Sequence, residues 1–274
     1  MTDPANDTSE RASVIRPARP VWLGRRRYGP VHTLQERLQE ARHLGTVIDT
    51  VLLLEHEPVA TLGRRADPEH LLSGPDGLRS RGLDVFETGR GGDATFHGPG
   101  QLVVYPIVDL KPDRCDVRRY VRDLGRAMID LLAVLGLEAA MLDGELLGVW
   151  LDRASPTSWK SQDEARDLAK IGAIGVRLSR WISMHGFALN GSTDLGLFTS
   201  AVVPCGLVGR GVTSIEELLG QSPPVDELAR GVLGPLGSAL GLEFAPLLDL
   251  SHLSDDAVLA ALVPPSSTSE SDPT

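Results

Sequence analysis

The sequence predicts an α/β fold, and three observations indicate it. The chain has 274 residues, of which 42% are hydrophobic and 23% are charged, a composition typical of a globular protein with one large domain or two small ones. Segments with helical spacing of apolar residues alternate with short runs rich in Val, Ile and Leu, which indicate buried strands. No central segment has the composition of a linker. We therefore predict one α/β domain, with a smaller C-terminal part that begins near residue 210.

The first predicted elements are a helix and a strand. Apolar residues recur at helical spacing at Val31, Leu34, Leu38, Ala41 and Leu44. This spacing predicts an amphipathic helix over residues 31–45. Residues 47–55 are rich in Val, Ile and Leu and predict a buried strand. A second strand-like run covers residues 102–104 and 107–108.

A long helix and further strands are predicted in the middle of the chain. Asp116 can cap a helix that runs to about Leu135, with Gly136 at its C-terminal end. Its apolar positions are Val117, Val121, Leu124, Met128, Leu131, Leu132 and Leu135. Strand-like segments follow at residues 145–151, 170–176 and 182–189. A final helix is predicted at residues 225–240, although three glycines and a proline lower its helix propensity.

Three segments are predicted to lie outside regular structure. Residues 152–168 are polar and charged and predict a surface loop, in which residues 162–169 could form a helical turn. Residues 1–16 and 264–274 are low in hydrophobicity, so we expect both tails to be disordered. The predicted catalytic domain therefore covers residues 17–263.

Composition excludes several classes of function. The net charge of −10 argues against general nucleic-acid binding. No apolar run approaches the roughly 18 residues that span a bilayer, and the polar N-terminus lacks a secretory signal, so we expect a cytoplasmic protein. Two cysteines cannot form a disulfide framework or a four-cysteine zinc site, and the seven histidines show no recognisable metal spacing. We predict no metal site.

Residues 90–101 are the densest run of special-purpose residues in the chain. The run reads Arg-Gly-Gly-Asp-Ala-Thr-Phe-His-Gly-Pro-Gly-Gln. Its glycines and proline predict an irregular backbone, and irregular loops beside strands commonly carry functional sites. Arg90 beside two glycines could indicate a phosphate cradle. The signal is weak, because the Gly-Lys-Ser/Thr of a P-loop is missing.

Two segments carry a nucleophile and a cation. Cys205 lies in Val-Val-Pro-Cys-Gly, where proline and glycine indicate a sharp turn that presents the thiol; the alternative is a small buried hydrophobic side chain. Lys170 opens Lys-Ile-Gly-Ala-Ile-Gly-Val-Arg. A lysine in an apolar strand is unusual unless it is paired or functional, and the alternative is a strand-end lysine whose amine reaches water.

The remaining polar candidates have less specific patterns. His97 is either a site residue or a histidine hydrogen-bonded within its own loop, and His185 is more ambiguous. Asn190 and Asp194 are predicted turn residues. Cys115 lies in a charged segment before a helix and is predicted to have no role.

Five segments, taken together, resemble the octanoyltransferase family, the lipoyl(octanoyl) transferases of lipoate biosynthesis. They are Leu-Glu-His-Glu-Pro-Val-Ala-Thr-Leu-Gly-Arg at 54–64, the run at 90–101, Lys-Ile-Gly-Ala-Ile-Gly at 170–175, His-Gly-Phe-Ala-Leu-Asn at 185–190 and Pro-Cys-Gly at 204–206. Val-Thr-Ser-Ile at 212–215 also fits the family. The resemblance spans about residues 20–220 and implies the fold of biotin and lipoate protein ligases, a mixed sheet flanked by helices.

The resemblance also implies a reaction and roles for residues. An octanoyl group would pass from octanoyl-acyl carrier protein to a lysine of a lipoyl domain. Cys205 matches the family's acyl-accepting nucleophile, and Lys170 matches its lysine partner. The residues that match the segments lining the acyl substrate are Arg90, Gly91, Gly92, Asp93, Ala94, Thr95, Phe96, His97, Ala173, Ile174, Gly175, Gly186, Phe187 and Ala188.

The implied partners are proteins. The acceptors would be lipoyl domains of 2-oxoacid dehydrogenase E2 subunits and the glycine cleavage H protein, with no nucleic acid, membrane, cofactor or ATP; we expect a monomer. The family's carrier protein is strongly acidic, and this chain is acidic too, so docking would need a local basic patch. The candidates are Arg25, Arg26, Arg27, Arg64 and Arg65.

Three alternatives remain open. The first is an ATP-dependent lipoate or biotin protein ligase on the same fold, which would need an adenylate site and no Cys205. The second is a non-catalytic acyl-binding protein. The third is a hydrolase that pairs Cys205 with His97 or His185 and passes the acyl group to water. The segment between Trp150 and Lys170 is also longer than the family pattern implies.

Overall fold

A computed structural model describes residues 16–203 and 211–264 of the chain. A ten-stranded mixed sheet forms the centre of this part. Its strands are β1 (Arg16–Arg26), β2 (Asp49–His56), β6 (Gln101–Ile107), β7 (Ala140–Leu142), β8 (Gly148–Asp152), β9 (Leu168–Ser179), β10 (Ile182–Asn190), β11 (Gly211–Val212), β12 (Leu242–Phe244) and β13 (Leu248–Asp249). A separate three-stranded sheet contains β3 (Val59–Leu62), β4 (Asp84–Glu87) and β5 (Ala94–His97).

The helices cover both faces of the main sheet. They are α1 (Tyr28–His43), α2 (Gly74–Ser80), α3 (Val117–Val134), α4 (Leu195–Ala201), α5 (Ile215–Leu219), α6 (Val225–Leu240) and α7 (Asp255–Leu262), with short 3₁₀ turns at Pro68–His70 and Gly144–Leu146. Helices α3 and α6 pack against each other, and α1 packs against α7. Strand β6 shows how the faces are divided, because Leu102 and Val104 enter the core with α3 and α6 while Val103 and Tyr105 enter the core with α1.

The main sheet has the strand order β12-β1-β2-β6-β10-β9-β8-β7, with β11 beside β9 and β13 beside β1. The β1–β2 pair is parallel, whereas β2–β6, β6–β10, β10–β9 and β9–β8 are antiparallel. The predicted mixed sheet flanked by helices is therefore confirmed. The C-terminal strands β12 and β13 extend the same sheet by pairing with β1.

The amphipathic helices are confirmed close to their predicted bounds. Asp116 caps α3 by accepting the N–H groups of Arg118 and Arg119, and Gly136 follows the helix with a φ of 80°. Helix α6 forms although Pro235 lies inside it. Strand β8 starts at Gly148, later than the predicted residue 145, because the 3₁₀ turn takes up the preceding residues.

Two expectations about irregular segments need correction, and one helix was missed. Residues 94–97 of the glycine-rich run form β5, which pairs with β3, because Ala94 and Phe96 are buried in a small core. The segment at 152–168 has no helical turn at 162–169. Asp152 instead holds it as a loop by accepting the N–H groups of Ala154, Arg166 and Asp167. Helix α7 was not predicted.

Several predictions fall on residues outside this description. Residues 1–15 and 265–274, which make up nearly all of the tails predicted to be disordered, lie outside the described residues, as do Cys205 and its neighbours from 204 to 210. Arg16 is the first residue of β1. Within 16–203 and 211–264, no helix combines the length and apolar character needed to cross a bilayer.

Candidate functional site

A cavity of about 410 Å³ lies against β9 and β10. Every residue that the resemblance places against the acyl substrate lines this cavity, except Gly91 and Phe96. Phe96 instead packs against Phe198, with ring centroids 5.4 Å apart, in the core of the small sheet. The N–H of Gly91 donates to the carbonyl of Val176 at 2.9 Å, so Gly91 fastens its loop to β9.

Two glycines of the cavity wall allow neighbouring backbone to approach closely. Gly175 of β9 lies opposite Gly186 of β10. A Cβ on Gly175 would lie 2.9 Å from the carbonyl oxygen of Gly91, and a Cβ on Gly186 would lie 2.2 Å from that of Val104. Only glycine allows these close approaches. Gly175 therefore lets the loop lie against β9, and Gly186 lets β6 lie close to β10.

Arg90 is buried and fixes the small sheet to the loop. Its guanidinium donates to the carbonyl and hydroxyl oxygens of Thr61 and to the carbonyl of Gly91, at 2.6–3.2 Å. These bonds join the start of the loop to β3, which favours a positioning role over a phosphate cradle.

Lys170 lies inside the protein at the start of β9. Its side chain is buried, its Nζ donates to the carbonyl of Leu147 at 2.9 Å, and Nζ lies 4.9 Å from the ring centre of Trp150. The reading of Lys170 as a strand-end lysine that reaches water is therefore wrong. An aromatic face and a carbonyl are both favourable neighbours for a buried cation.

The described residues on either side of segment 204–210 lie beside residues of the cavity, and those that follow it lie next to Lys170. The N–H of Val203 donates to the carbonyl of His70, a cavity-lining residue, at 2.9 Å. On the other side, Gly211 pairs with Ala169, and Val212 pairs with Lys170. The chain thus leaves and re-enters the described structure beside the cavity.

The opposite end of the cavity is built from imidazole and phenol rings. Val176 lies six residues after Lys170 on β9, which corresponds to about 20 Å of strand, and it pairs with His185. The rings of this group, which we call the imidazole end, are His32, His56, His97, His185, Tyr28 and Tyr105, and neighbouring centroids lie 5.1–6.5 Å apart.

Burial keeps the imidazole end uncharged at neutral pH. Loss of solvation lowers the pKa of His97 and of His185 to about 3, and it lowers the pKa of His56 to about 4. Burial raises the pKa of Tyr105 well above its ordinary value. Among the described residues, no group of three His, Cys, Asp or Glu side chains is arranged to hold a metal ion.

Comparisons with known proteins identify the family. The lipoyl protein ligase A/B catalytic domain matches residues 28–235. The octanoyltransferase of Solibacter usitatus is 44% identical over 87% of this chain and 96% of its own length, and that of Chloroflexus aurantiacus is 41% identical over 81% and 93%. The chain belongs to the octanoyltransferase family. Its members are acyltransferases, so this protein is an enzyme of that class.

Other relatives differ in length or share only the fold. The octanoyltransferase of Myxococcus xanthus is 45% identical, but the matched region covers 77% of this chain and 56% of that protein. The bipartite lipoate protein ligase of Thermoplasma acidophilum superimposes with a TM-score of 0.61 at 17% identity, covering 90% of each chain. Lipoate-protein ligase A with bound ATP gives 0.61 at 15%, covering 89% of this chain and 93% of that one. Octanoyltransferases and lipoate ligases thus share one fold.

The sequence-predicted basic patch divides into two parts. Arg25, Arg26 and Arg27 lie within 3.7 Å of the carboxylates of Glu55, Asp255 and Asp84, respectively. Arg64 and Arg65 are exposed, and none of the ion pairs found within the described ranges involves them. Their backbone N–H groups donate to the carbonyls of Arg90 and Gly92, which places this pair next to the cavity.

Sequence reasoning missed His70 at the octanoyltransferase site and assigned Asn190 and Asp194 to turns. His70 lines the cavity, and its Nδ1 lies 2.6 Å from Asp93 Oδ2; nothing in the local pattern links residues so far apart. Asn190 is not a turn residue, because it ends β10 and is buried with its amide hydrogen-bonded. Asp194 caps α4 by accepting the N–H of Leu197.

Proposed function

We propose that this chain transfers an octanoyl group from octanoyl-acyl carrier protein to a lysine of a lipoyl domain, with Cys205 as the transient acyl carrier. The observation that carries the proposal is the cavity, because one continuous space is lined by the glycine-rich run, β9, β10 and Lys170. Its walls include Ile174, Phe187 and Ala188, so it offers an octanoyl chain apolar surface. Burial of each CH₂ is worth about 0.8 kcal/mol.

The first half-reaction exchanges one thioester for another. The Cys205 thiolate attacks the carbonyl carbon of the donor, a new C–S bond forms, and the bond to the carrier's sulfur breaks. The carrier leaves as a thiol after taking the proton that Lys170 held, so Lys170 enters the second half-reaction as a neutral amine. A buried lysine beside the cavity favours the thiolate form of a nearby thiol, and this is the role we assign to Lys170.

The second half-reaction forms the amide. The amine of the acceptor lysine attacks the acyl-enzyme, a C–N bond forms, and the C–S bond to Cys205 breaks. Lys170 is the group we propose to accept the proton that the amine loses. The backbone N–H groups of β9 near Ala173–Gly175 are candidates for holding the oxyanion. The thioester is already activated, so neither half-reaction needs ATP or another cofactor.

Mass spectrometry of the intact protein tests the covalent intermediate. After mixing with octanoyl-carrier, the wild type should gain one octanoyl group, and addition of a lipoyl domain should discharge it. Cys205→Ala should gain none. Cys115→Ala is the matched control, because Cys115 is an exposed free cysteine, and this variant should be acylated like the wild type. An adduct on Cys205→Ala would contradict the assignment of the nucleophile.

The same reaction mixture separates transfer from the alternatives. The shared fold with lipoate-protein ligase A makes an ATP-dependent ligase the second candidate. Lipoylation that requires ATP and survives Cys205→Ser would favour that ligase. Release of free octanoate without a modified lipoyl domain would favour a hydrolase, and absence of any adduct or product would favour a binding protein. We expect amide formation on the lipoyl domain without ATP.

The proposed partners and location follow from this reaction. The acceptors would be lipoyl domains of 2-oxoacid dehydrogenase E2 subunits and the glycine cleavage H protein. The archaeal ligase of similar fold was solved as part of a system with its E2 lipoyl domain, and this supports an acceptor of that kind. We place the reaction in the cytoplasm, with residues 17–263 as the catalytic domain and the enzyme acting as a monomer.

A further inference from the structure

Gln101 and Asn190 end two of the sequence motifs, yet the transfer mechanism above gives them no task. They lie directly opposite each other, Gln101 at the start of β6 and Asn190 at the end of β10. Both side chains are almost completely buried, at 2% and 5% exposure. Buried amides are retained in a core only when their polar atoms find partners, because an unsatisfied amide is costly.

Their amides form a continuous chain of hydrogen bonds. Asn190 Nδ2 donates to the carbonyl of Thr213 at 2.9 Å. Gln101 Nε2 donates to Asn190 Oδ1 at 2.9 Å and to the carbonyl of Phe96 at 3.3 Å. Gln101 Oε1 lies 2.7 Å from Nδ1 of His97. We call this chain, from Thr213 through Asn190 and Gln101 to His97, the amide relay.

The direction of the amide relay is fixed by its backbone partners. A carbonyl oxygen only accepts hydrogen bonds, so Asn190 must turn its NH₂ group to Thr213 and its oxygen to Gln101. Gln101 must then donate to Asn190 and Phe96, which turns its own oxygen to the imidazole. His97 Nδ1 therefore carries the hydrogen. In the neutral ring that burial enforces, Nε2 keeps a lone pair and can only accept.

One end of the amide relay contacts the backbone of Lys170, and the other end is a cavity-lining imidazole. The N–H of Thr213 donates to the carbonyl of Lys170 at 3.0 Å, so the Thr213 end borders the lysine. His97 lines the cavity at its other end. The relay thus joins, through the sheet, the turn after β11 and an imidazole of the site.

We propose that Gln101 and Asn190 are positioning residues for the acyl transfer, holding His97 as a hydrogen-bond acceptor toward the cavity and holding the turn at Thr213 against Lys170. The reaction part of this inference rests on the proposed octanoyl transfer. A substrate group that bonds to His97 Nε2 must bring an N–H, O–H or S–H donor. An octanoyl chain has none, whereas the acceptor amine and the carrier's thiol do.

The tautomer of His97 can be read by ¹⁵N NMR without any substrate. Protein labelled with ¹⁵N-histidine should show a ring with protonated Nδ1 and unprotonated Nε2 that disappears in His97→Gln. In Gln101→Leu, which removes the acceptor for Nδ1, this signal should shift toward a mixture of tautomers. A wild-type His97 protonated at Nε2 would overturn the relay, whatever the enzyme's reaction proves to be.

Kinetics of Asn190→Asp test the effect on transfer. A carboxylate cannot donate to Thr213, but a protonated carboxyl group can, so low pH should restore the relay. The measured quantity is the single-turnover acylation rate of Asn190→Asp divided by the wild-type rate at the same pH. We expect this ratio to be about 0.1 at high pH and to rise toward 1 as the pH falls. Asn190→Ala, which cannot donate at any pH, should be slow throughout without recovery.

Gln39→Glu is the matched control for a purely structural effect. Gln39 is a buried amide that donates to the carbonyl of Ile182 at 2.9 Å, but it does not line the cavity. We expect this variant to lose stability while keeping the wild-type acylation rate. If Asn190→Asp behaves like Gln39→Glu, or if its rate relative to the wild type does not change with pH, Asn190 does not position the reaction.

If the wild type transfers no octanoyl group, the proposed function fails, and the NMR result alone decides whether the amide relay exists.

Discussion

At one end of the cavity, Lys170 is buried and places its amine against the carbonyl of Leu147 and the ring of Trp150. At the other end, His185 pairs with Val176, about 20 Å along β9 from Lys170. His185 and His97 are both buried, and none of the ion pairs found among the described residues involves either ring. Burial there lowers the pKa of both rings to about 3. Both ends of the cavity are therefore shielded from water, but one contains a hydrogen-bond-donating amine and the other contains uncharged rings.

The difference teaches how one cavity can separate two tasks. In the proposed transfer, charge and proton transfer belong to the lysine end, where the described chain resumes at Gly211 and Val212 beside Lys170. The imidazole end offers uncharged rings, which shape a pocket without introducing a buried charge. If this division is correct, substitutions at the lysine end should change rates. Apart from His97, which the amide relay holds toward the cavity, substitutions at the imidazole end should change stability and its dependence on pH.

Loss of the lysine amine should give the largest effect. Lys170→Ala should lower the single-turnover acylation rate by roughly 10²–10⁴-fold, the usual contribution of a positioned proton-transfer group. Lys160→Ala is the matched control, because Lys160 is an exposed lysine of the loop between β8 and β9. Rapid-quench acylation by octanoyl-carrier measures both. Unchanged rates in Lys170→Ala would remove the functional difference between the two ends.

Acid should destabilise the protein through the imidazole end. The folded-state pKa values of His56, His97 and His185 are lowered to about 4, 3 and 3, whereas an unfolded histidine titrates near 6.5. Below that pH the unfolded chain binds protons that the folded chain does not. The free energy of unfolding should therefore fall from pH 7 to 5, by about 1.4 kcal/mol per pH unit for each histidine once the pH is below 6.5.

Urea denaturation at pH 7, 6 and 5 measures this loss. His56→Gln removes one of the buried rings, so its free energy of unfolding should change less steeply with pH than that of the wild type. A wild-type stability that stays constant over this range would mean that the imidazole end is already protonated or solvated, and the comparison between the two ends would fail.

The sequence predicts most of the fold because its strongest signals are local. The apolar spacing of α1 and α3 and the apolar runs of β2 and β10 were sufficient to predict these elements near their observed bounds. Helix α6 was predicted at its observed bounds, and the run predicted at 170–176 is the middle of the longer strand β9. Strand β5 was missed because glycines surround it and its partner, β3, lies more than thirty residues earlier. Helix α7 did have a local signal, since Ser254 caps it.

The site could not be predicted from local signals in the same way, because its contacts join residues that are distant in the sequence. The resemblance brought the glycine-rich run together with β9 and β10, and the cavity unites these segments. The contact between His70 and Asp93 and the hydrogen bond between Asn190 and Thr213 depend on register and loop geometry. Asn190 resembles a turn residue in sequence because asparagine is common in turns. Only its partners reveal a buried role.

A methyl group on the wall that joins the two ends should have a smaller effect. In Gly175→Ala, the Cβ would lie 2.9 Å from the carbonyl of Gly91 and 3.2 Å from Cδ of Arg90. Such crowding costs about 1–3 kcal/mol of stability. The control is Gly234→Ala in α6, where no heavy atom lies within 4 Å and alanine suits a helix better than glycine. Chemical denaturation should show a loss in the first variant only; equal stabilities would mean that the loop is not held against β9.

The smallest effect is expected at the edge of the cavity, at Arg64 and at Arg65, which is one of its lining residues. Both side chains are exposed, and their backbone is fastened to the loop that covers the cavity. Charge reversal at both positions should raise the apparent KM of an acidic carrier several-fold at low salt, because exposed charges contribute about 1 kcal/mol or less each to attraction. The increase should shrink as salt is added, since salt screens exposed charges.

Arg27→Glu separates a local docking patch from net charge. Arg27 is also exposed, but its guanidinium lies 3.2 Å from a carboxylate oxygen of Asp84, so its charge is already balanced. Its reversal should raise the carrier's KM less than reversal of Arg64 or Arg65 alone. Equal effects from all three single variants would mean that the carrier responds to overall charge. An unchanged KM in the Arg64→Glu, Arg65→Glu double variant would exclude docking of the carrier at these two arginines. The two ends of the cavity would then differ only in their roles in the reaction and in stability, and not in carrier binding.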